Sequence, residues 1–452
     1  MIAEHDTTER LDNEEPAKRQ RSSNASSNVD TEARRDCYDE VLEGHYNGPI
    51  RYSWLTTIHK ISTRDPTFLR TEPPQALSPI QSLNRQLLQV KRRLWPAAVQ
   101  CAQVIKSSSP QVEFSQARRN CNPLEPLGEG QAGGLNHMFM NRSAIKLANM
   151  DASMNFALTG GSIVGPFLFA DLCGAPGGFS EYLMERCLYE RTTNDCRGYG
   201  MSLEGANEHG RGTPWKLQHK CGSVDGIHTQ YLVCKGADGT GDLYNWENVL
   251  SLQHDIKSDL YFSGITAEKV HVVVADGGFD AQRDSECQEQ LAQKLVVCQV
   301  AAGLFLLKPG GTLIVKMFGF QTDVIRTVMR NLYEAFDQVM VLKPISSRPA
   351  SSERYVVCTS FHGLPKDWDG PKWMGKMFLG DWSYRPCLMD ANLRQLLEDC
   401  DRDLLTLNLK ACFAILSCLE RKTAACANSK MPWCPQLPAV NVDMYKHAWR
   451  LD

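Results

Sequence analysis

One stretch decides the fold of this chain: Phe167-Leu-Phe-Ala-Asp-Leu-Cys-Gly-Ala-Pro-Gly-Gly-Phe-Ser-Glu-Tyr182. Its first four residues are apolar, as in a buried strand of a parallel sheet. Asp171 follows, three glycines then crowd a turn around Pro176, and after the turn apolar residues recur at helical spacing. Strand, glycine turn and helix open α/β folds in which a ligand lies beyond the carboxyl end of the strand.

The spacing of the glycines argues against a dinucleotide. The fingerprint for pyrophosphate reads G-x-G-x-x-G, whereas Gly174 to Gly178 reads G-x-x-G-G with a proline inside. The turn therefore fits a ligand without phosphates better than it fits pyrophosphate. An ordinary turn that simply needs glycine remains the alternative at this point.

Further strands and helices alternate along the chain. We predict strands at 197–203, 270–275, 312–315, 338–343 and 355–359, and helices at 286–307 and 322–336. The glycine- and histidine-containing stretch that leads to Gly241 receives no assigned strand, and Gly236 to Asp242 reads as turns. Alternation of this kind predicts an α/β fold with a mostly parallel, doubly wound sheet.

We divide the chain into four parts. Residues 1–36 are polar and mixed in charge, which is typical of a disordered tail. Residues 37–134 form a basic, largely helical lead-in, in which Lys106 and Arg118 are candidate phosphate contacts; a solvated helix face is the competing interpretation. The core domain covers 135–363, and a helical extension covers 364–452.

Composition limits the class of protein. The net charge is −3, so a nucleic-acid partner must be met by a local basic surface. Seventeen cysteines include no C-x-x-C pair, which argues against a zinc site and for reduced thiols in cytosol or nucleus. No apolar run approaches the ~18 residues of a membrane span. Lys18-Arg-Gln-Arg21 suggests nuclear import, although such clusters also occur by chance.

Polar residues follow several of the predicted strands. Asp171, Asp276 and Lys316 end strands, Glu353 precedes one, and Lys146 lies on a helix that Asn141 caps. Each could belong to a structural ion pair. Together, two lysines and two acids around one crevice suggest proton handling on a weakly acidic hydroxyl. A neighbouring ammonium and burial would both lower the pKa of a lysine, which would make it available as a base.

These residues carry a resemblance to a known family. Asp171-Leu-Cys-Gly-Ala-Pro-Gly-Gly-Phe-Ser is similar to the S-adenosylmethionine loop of FtsJ-like (RrmJ-type) 2′-O-methyltransferases, and Lys146, Asp276, Lys316 and Glu353 match the K-D-K-E tetrad in order. Met140 to Asp151, Val274 to Phe279 and Lys343 to Cys358 resemble motifs of the eukaryotic cap-specific mRNA 2′-O-methyltransferase 1 family. The resemblance implies a Rossmann-like class I methyltransferase fold with helical N- and C-terminal extensions.

The resemblance also implies roles for individual residues. The tetrad would be catalytic, and Arg118 and Ser351, with Lys106 of the basic lead-in, would contact RNA. Metal ligands are not expected. The expected contacts to S-adenosylmethionine are Asn141, Asp171, Cys173, Gly174, Ala175, Pro176, Gly177, Gly178, Phe179, Asp242, Leu243 and Asp276.

The expected function is methylation of the ribose 2′-OH of the first transcribed nucleotide in m7G-capped RNA, with S-adenosylhomocysteine as the product. The second cap nucleotide or an internal ribosomal or transfer RNA ribose is the alternative, and an inactive RNA-binding scaffold is a third. Capped mRNA or another capped RNA is the expected partner, and the transcription and capping machinery is a candidate. The expected compartment is the nucleus, with the cytoplasm as the alternative.

Overall fold

A computed structural model gives the fold. It describes residues 59–62, 79–106, 108–122, 124–125, 138–159, 165–190, 195–207, 210–217, 222–224, 226–278, 288–379, 391–427 and 442–451. The predicted disordered tail, the basic cluster Lys18 to Arg21 and the glycine-rich stretch Gly128 to Gly134 lie outside these residues.

A nine-stranded sheet forms the centre of the molecule, in the order β1-β10-β11-β9-β8-β2-β3-β7-β6. Its strands are β1 (His59–Ser62), β2 (Phe167–Leu172), β3 (Asp195–Met201), β6 (Gly222–Val224), β7 (Ile227–Val233), β8 (Val270–Ala275), β9 (Leu307–Met317), β10 (Phe336–Leu342) and β11 (Arg354–Phe361). A separate two-stranded ribbon consists of β4 (Ala206–Asn207) and β5 (Gly210–Arg211).

The five strands from β9 to β7 in this order run parallel to one another. Among these parallel strands, β2 comes first in the chain and lies in the middle. The chain then moves outward to β3 and β7, and returns to β8 on the other side of β2. The order therefore reverses between β2 and β8, and such a switch point opens a crevice at the carboxyl ends of the strands. This topology confirms the predicted Rossmann-like, mostly parallel and doubly wound sheet.

Helices connect and flank the strands. They are α1 (Pro79–Ile105), α2 (Pro110–Asn120), α3 (Arg142–Ser153), α4 (Gly178–Glu190), α5 (Trp246–Phe262), α6 (Gln288–Leu306), α7 (Asp323–Ala335), α8 (Gly370–Leu379), α9 (Ala391–Ala427) and α10 (Val442–Ala448). In the described ranges, no helix combines the length and the apolar composition that a bilayer crossing requires.

Five strands were not predicted: β1, β6 and β7 of the large sheet, and β4 and β5 of the ribbon. Strand β7 alternates buried Ile227 and Thr229 with exposed His228 and Gln230. It lies next to the edge of the sheet, so it lacks the continuous apolar run of a central strand such as β2, which is buried throughout. Strand β1, in the lead-in, pairs antiparallel with β10 through only four residues, too few to give a period.

The helices outside the central domain pack on it and on one another. Leu393, Leu396 and Leu397 of α9 are buried in the main core. Further along, α9 packs against α1 in a second apolar cluster that includes Leu405, Leu416, Leu419, Leu87 and Leu94. The amphipathic stretch that the sequence predicts from about Asn392 to Ala425 is therefore a single helix.

From the sequence alone, Trp368, Trp373 and Trp382 could either pack in the core or stack on a methylated base. Trp368 packs against Phe305 and Trp246, with ring centroids 6.1 and 6.0 Å away. Trp373 is partly buried against the main core. Both are accounted for by packing, while Trp382 lies outside the described residues.

Candidate active site

The glycine turn joins β2 to α4 and allows close approaches of the backbone. Cys173 and Gly177 have φ values of 57° and 113°, in the left-handed region. A Cβ on Gly174 would lie 2.0 Å from the Asp171 carboxylate, and one on Gly178 would lie 2.1 Å from Asn141 Oδ1. The turn can therefore hold no side chain at these two positions.

Asp171 is fully buried beneath the turn. Ser180 Oγ donates to its Oδ2 at 2.6 Å, whereas Oδ1 meets no donor among the described residues. Burial raises the pKa of Asp171 to about 7. A buried acceptor without a partner costs about 1–3 kcal/mol, so an N–H donor or a cation from a ligand would be favoured here. The expected role of Asp171 toward a cationic cofactor agrees with this arrangement.

The raised pKa of Asp171 predicts a pH dependence of stability. Between the pKa of the unfolded chain, 3.8, and the value of about 7 in the folded state, the folded protein binds more protons. The free energy of unfolding should therefore fall across this window as pH rises, by on the order of 2–4 kcal/mol.

Denaturant titrations of the wild type and of Asp171→Asn at pH 5 and pH 8 test this prediction. The amide variant cannot ionise, so the wild type should lose stability relative to it at pH 8. A difference between the two proteins that is the same at both pH values would contradict the prediction.

The other residues expected at the cofactor surround this turn. Asn141 caps α3 by accepting the Ser143 N–H at 2.9 Å. Phe179 is buried against Tyr355, with ring centroids 5.9 Å apart, and the Lys216 N–H donates to the Pro176 carbonyl. Ala175 is a partly buried residue of the turn between Gly174 and Gly177.

Asp242 and Leu243 lie in the loop that precedes α5. The Asn248 amide donates to the Asp242 carbonyl at 2.9 Å, and Asp242 Oδ1 accepts the Tyr244 N–H at the same distance. Gly241 has a φ of 65°, and a Cβ there would lie 2.0 Å from the Ser202 carbonyl oxygen. The loop is thus pressed against the segment that follows β3, at the same edge of the sheet as the glycine turn.

The four residues of the expected tetrad meet as two ion pairs. Lys146 Nζ lies 2.9 Å from Glu353 Oε2, and Lys316 Nζ lies 3.0 Å from Asp276 Oδ1. All four side chains are largely buried. Asp276 directly follows β8, which pairs with β2, so the cluster adjoins the glycine turn. The structure therefore brings together residues that are 207 positions apart in the chain.

Asp276 is held from several sides, by residues that sequence reasoning missed. Tyr355 Oη donates to its Oδ1 at 2.7 Å and Ser143 Oγ donates to its Oδ2 at 3.0 Å. Lys316 Nζ also donates to the Asp276 backbone carbonyl at 2.7 Å. Tyr355 lies two residues after Glu353, and Ser143 lies in the first turn of the helix that carries Lys146. Their closeness in sequence to these two candidate residues could have identified them.

Glu353 has its own supports. Ser347 Oγ donates to Glu353 Oε1 at 2.7 Å. Lys343 is buried and donates to Ser347 Oγ, to the Ser351 carbonyl and to the Glu353 carbonyl, at 2.9, 2.8 and 2.7 Å. Burial, against the opposing effect of Glu353, lowers the pKa of Lys343 to about 7. Lys343 was quoted in a motif but had no predicted role.

The pKa of Lys146 is raised, so Lys146 is not the lysine with a lowered pKa that the sequence predicts. Burial alone would lower its pKa, but the Glu353 and Asp276 carboxylates outweigh burial and raise it. Burial would raise the pKa of Glu353, but Lys146, Lys316 and Lys343 together hold it well below its ordinary range. Lys146 is therefore a fixed cation and Glu353 a fixed anion near neutral pH.

The residues expected at RNA are not all in one place. Arg118 of α2 is half-buried over the Phe114 ring, and its buried Nε has no hydrogen-bond acceptor in the described parts of the chain. Burial and the nearby Arg348 and Arg142 lower its pKa. Ser351 accepts the Glu353 N–H at 3.2 Å, which places it beside the tetrad. Lys106 is exposed just beyond the end of α1.

The Glu125 carboxylate binds both Arg142 and Arg348, the two arginines near Arg118. Glu125 Oε1 lies 2.8 Å from Arg142 Nη1 and 2.5 Å from Arg348 Nη2. Arg142 also donates to the Ser346 carbonyl at 3.0 Å. Burial opposes ionisation of Glu125, but the two guanidinium groups lower its pKa. One buried carboxylate thus holds two cations in a cluster that remains net positive.

A metal centre was not expected. The described residues contain no group of three or more His, Cys, Asp or Glu that could hold a metal ion. The polar groups that the described residues bring to the crevice are lysine, carboxylate, tyrosine and hydroxyl groups around a glycine turn.

Comparisons with known proteins give relatives that match about half of this chain. The chain is 34% identical over 256 residues to Cap-specific mRNA (nucleoside-2′-O-)-methyltransferase 1 of Drosophila melanogaster, which covers 54% of this chain and 29% of that protein. The Homo sapiens protein of the same name is 34% identical over 257 residues, covering 54% of this chain and 28% of that protein. The chain thus matches less than a third of the length of these relatives.

The solved structures that the chain matches include that of a putative ribosomal RNA methyltransferase from Plasmodium falciparum. It is 18% identical and covers 50% of this chain and 99% of that chain, with a TM-score of 0.33. The match to a protein family is more specific. Residues 139–361, which include all four tetrad residues and the glycine turn, match the family model described as FtsJ-like methyltransferase. The chain therefore carries, over these residues, a methyltransferase domain of the FtsJ-like family.

Proposed function

We propose that the protein methylates the ribose 2′-oxygen of the first transcribed nucleotide in m7G-capped RNA, with S-adenosylmethionine as the methyl donor. The observation that carries this proposal is the meeting of Lys146, Asp276, Lys316 and Glu353 as two buried ion pairs next to the glycine turn. The FtsJ-like domain over residues 139–361 supports methyl transfer. Relatives that share 34% identity and are named cap-specific mRNA 2′-O-methyltransferases support the choice of capped RNA.

The residues around the turn fit S-adenosylmethionine. This cofactor carries a sulfonium and an ammonium group, and the unpartnered Oδ1 of buried Asp171 suits a cation or an N–H donor. Glycines at 174 and 178 let the backbone of the turn lie directly against Asp171 and Asn141, two of the expected cofactor contacts. Residues 173–179, Asn141, Asp242 and Leu243 would hold it. When bound, it supplies a methyl group on a positively charged sulfur, which is a good leaving group.

The tetrad would position and deprotonate the ribose hydroxyl. Lys316 is held by two contacts to Asp276. In its neutral amine form it would accept the 2′-hydroxyl proton as the oxygen takes the methyl group, and the resulting ammonium would return that proton to solvent. Lys146 keeps its proton, because its pKa is raised, and would align the hydroxyl oxygen together with Asp276. Glu353 fixes Lys146 in place. Orientation alone can contribute about 7–11 kcal/mol to such a displacement, so positioning would supply most of the acceleration.

RNA would approach over the cluster of Arg118, Arg142 and Arg348. Its charge exceeds that of the single Glu125 carboxylate, and the half-buried Arg118 retains a donor without a described acceptor. Guanidinium groups suit phosphate oxygens, which they can contact with two parallel hydrogen bonds. Ser351, beside Glu353, would lie close to the reacting nucleotide.

Radiolabelled S-adenosylmethionine with three RNAs tests the function. The RNAs are m7G-capped, uncapped, and capped with a 2′-O-methyl group already on the first nucleotide. Label should enter the capped RNA and neither of the others. Label on uncapped RNA would favour an internal ribose, and label on the pre-methylated RNA would favour the second cap nucleotide. RNA binding without labelling would favour a scaffold.

The proposed place of action is the nucleus, where capped transcripts arise. The basic cluster Lys18-Arg-Gln-Arg21 supports this compartment, as a candidate import signal. Association with the transcription and capping machinery would deliver the substrate. Cell imaging of the full chain and of a variant in which Lys18, Arg19 and Arg21 are alanine would test the compartment, since only the former should concentrate in the nucleus.

A further inference from the structure

Helix α9 lies outside the FtsJ-like domain, yet two of its side chains contact residues 349–354, the segment that contains Glu353. The domain ends at residue 361, and α9 begins at Ala391. Asp401 and Asn408 of α9 are both buried and are seven residues apart, which places them two turns apart on one face of the helix. This face meets residues 349–354, the segment that contains Glu353.

Asn408 supplies donors to a turn that would otherwise leave carbonyl groups buried. Its Nδ2 donates to the Pro349 carbonyl at 2.6 Å and to the Ser351 carbonyl at 3.0 Å. Both partners are backbone carbonyl oxygens, which only accept, so the amide nitrogen must face them. These two hydrogen bonds offset the desolvation cost of the amide nitrogen, whereas Asn408 Oδ1 is buried without a donor among the described residues.

The Ser351 carbonyl connects Asn408 to the tetrad. The same oxygen accepts from Lys343 Nζ at 2.8 Å, and Lys343 also donates to the Glu353 carbonyl and to Ser347 Oγ. Ser347 Oγ in turn donates to Glu353 Oε1, whose partner oxygen pairs with Lys146. Asn408 and Lys343 therefore hold the Ser351 carbonyl from two sides, within two residues of Glu353.

A second tie from α9 lies on the other side of Glu353. Arg354 follows Glu353 directly, and its Nη1 lies 2.6 Å from Asp401 Oδ1 in a pair that is almost fully buried. The backbone of Glu353 is thus flanked by Ser351, tied to Asn408, and by Arg354, tied to Asp401. Freedom of Glu353 to turn away from Lys146 is limited by both contacts.

We propose that Asn408 of α9 is a positioning residue, which holds the segment from Lys343 to Glu353 in the conformation that places Glu353 against Lys146. The role in transfer rests on the proposed function, whereas the effect on the segment does not. Helix α9 then helps to position a residue of the active site, in addition to packing against the apolar core. A displacement of about 1 Å in such a support can cost ~100-fold in rate.

The test compares Asn408→Leu with Leu419→Ala. Leucine is close to asparagine in size but donates no hydrogen bond. Leu419 is buried in the same helix, packs in the cluster with α1 and lies eleven residues beyond Asn408, about 16 Å along the axis. Leu419→Ala therefore weakens the packing of α9 while it leaves the hydrogen bonds of Asn408 in place. Asn408→Ser, which keeps one donor, serves if Asn408→Leu fails to fold.

Hydrogen–deuterium exchange of peptides from residues 343–356, together with steady-state kinetics, gives two independent results. Asn408→Leu should speed exchange in this segment and lower kcat about 10–100-fold, with cofactor Kd unchanged. Leu419→Ala should speed exchange in α1 and α9 and keep kcat near the wild-type value. Asn408→Ser should fall between the wild type and Asn408→Leu.

Exchange in 343–356 that is unaltered by the Asn408 variants would overturn the proposal. A loss of kcat that is equal in Leu419→Ala would also overturn it, because the effect would then follow helix stability alone. If the wild type fails to methylate capped RNA, the proposed function fails, and the exchange measurement still decides whether Asn408 holds the segment.

Discussion

Replacing Lys316 by alanine is expected to lower methyl transfer by on the order of 10²–10⁴-fold, because the variant lacks the group that takes the hydroxyl proton. Cofactor affinity should be unchanged, since Lys316 contacts Asp276 and not the glycine turn. The fold should also survive, because Tyr355 and Ser143 still donate to the Asp276 carboxylate. Single-turnover transfer and calorimetric binding of S-adenosylmethionine are the measurements.

Lys308→Ala is the matched control for this prediction. Lys308 lies on the same strand, β9, but near its amino end, so it is far from the crevice at the carboxyl ends of the strands. It is half-buried like many structural lysines, so its removal tests whether any lysine on this strand matters. Transfer by Lys308→Ala should equal that of the wild type. Appreciable turnover by Lys316→Ala would exclude Lys316 as the proton acceptor.

Replacing Asp401 by alanine should destabilise the fold by about 3–5 kcal/mol, because it leaves the buried Arg354 guanidinium without its carboxylate. The two side chains are only 2% and 3% exposed, so water cannot take the place of Asp401. Equilibrium unfolding in urea measures the change. The expected loss is large for a residue that lies outside the matched family domain.

Glu334→Ala provides the comparison. Glu334 pairs with Arg330 at 2.8 Å on helix α7, and the pair is substantially exposed to water. Exposed pairs of this kind contribute about 0–1 kcal/mol, because water and salt screen them. If Asp401→Ala costs no more than Glu334→Ala, then the buried pair does not fasten α9 to the segment after Glu353.

The sequence predicts the parts of this fold that have strong local patterns. Phe167 to Ala170 is a continuous apolar run because helices cover both faces of the sheet at its centre, and the glycine turn follows from backbone geometry. By contrast, β7 has exposed His228 and Gln230 near the sheet edge, so its strand character comes from pairing with β3. Pairing between distant strands leaves little trace in local composition.

The candidate site was predicted through motifs, and its supports were not. Asp276, Lys316 and Glu353 could be placed from strand ends, and Lys146 from a motif on its helix. The Tyr355 hydroxyl, the Lys343 ammonium and the Asn408 amide act through contacts between distant segments, as with Asn408 and Ser351, 57 residues apart. The raised pKa of Lys146 could not be predicted from the sequence, because the balance between its burial and two carboxylates depends on distances.

We propose that the cluster of Lys146, Asp276, Lys316 and Glu353 directs methyl transfer to one ribose hydroxyl of a capped RNA. The most direct test uses two m7G-capped RNAs that differ in one oxygen: the first lacks the 2′-hydroxyl on the first transcribed nucleotide, the second lacks it on the second nucleotide. With labelled S-adenosylmethionine, only the second RNA should accept a methyl group, recovered on its first nucleotide after nuclease digestion. Labelling of the first RNA at the same rate as the second RNA would contradict the proposed function.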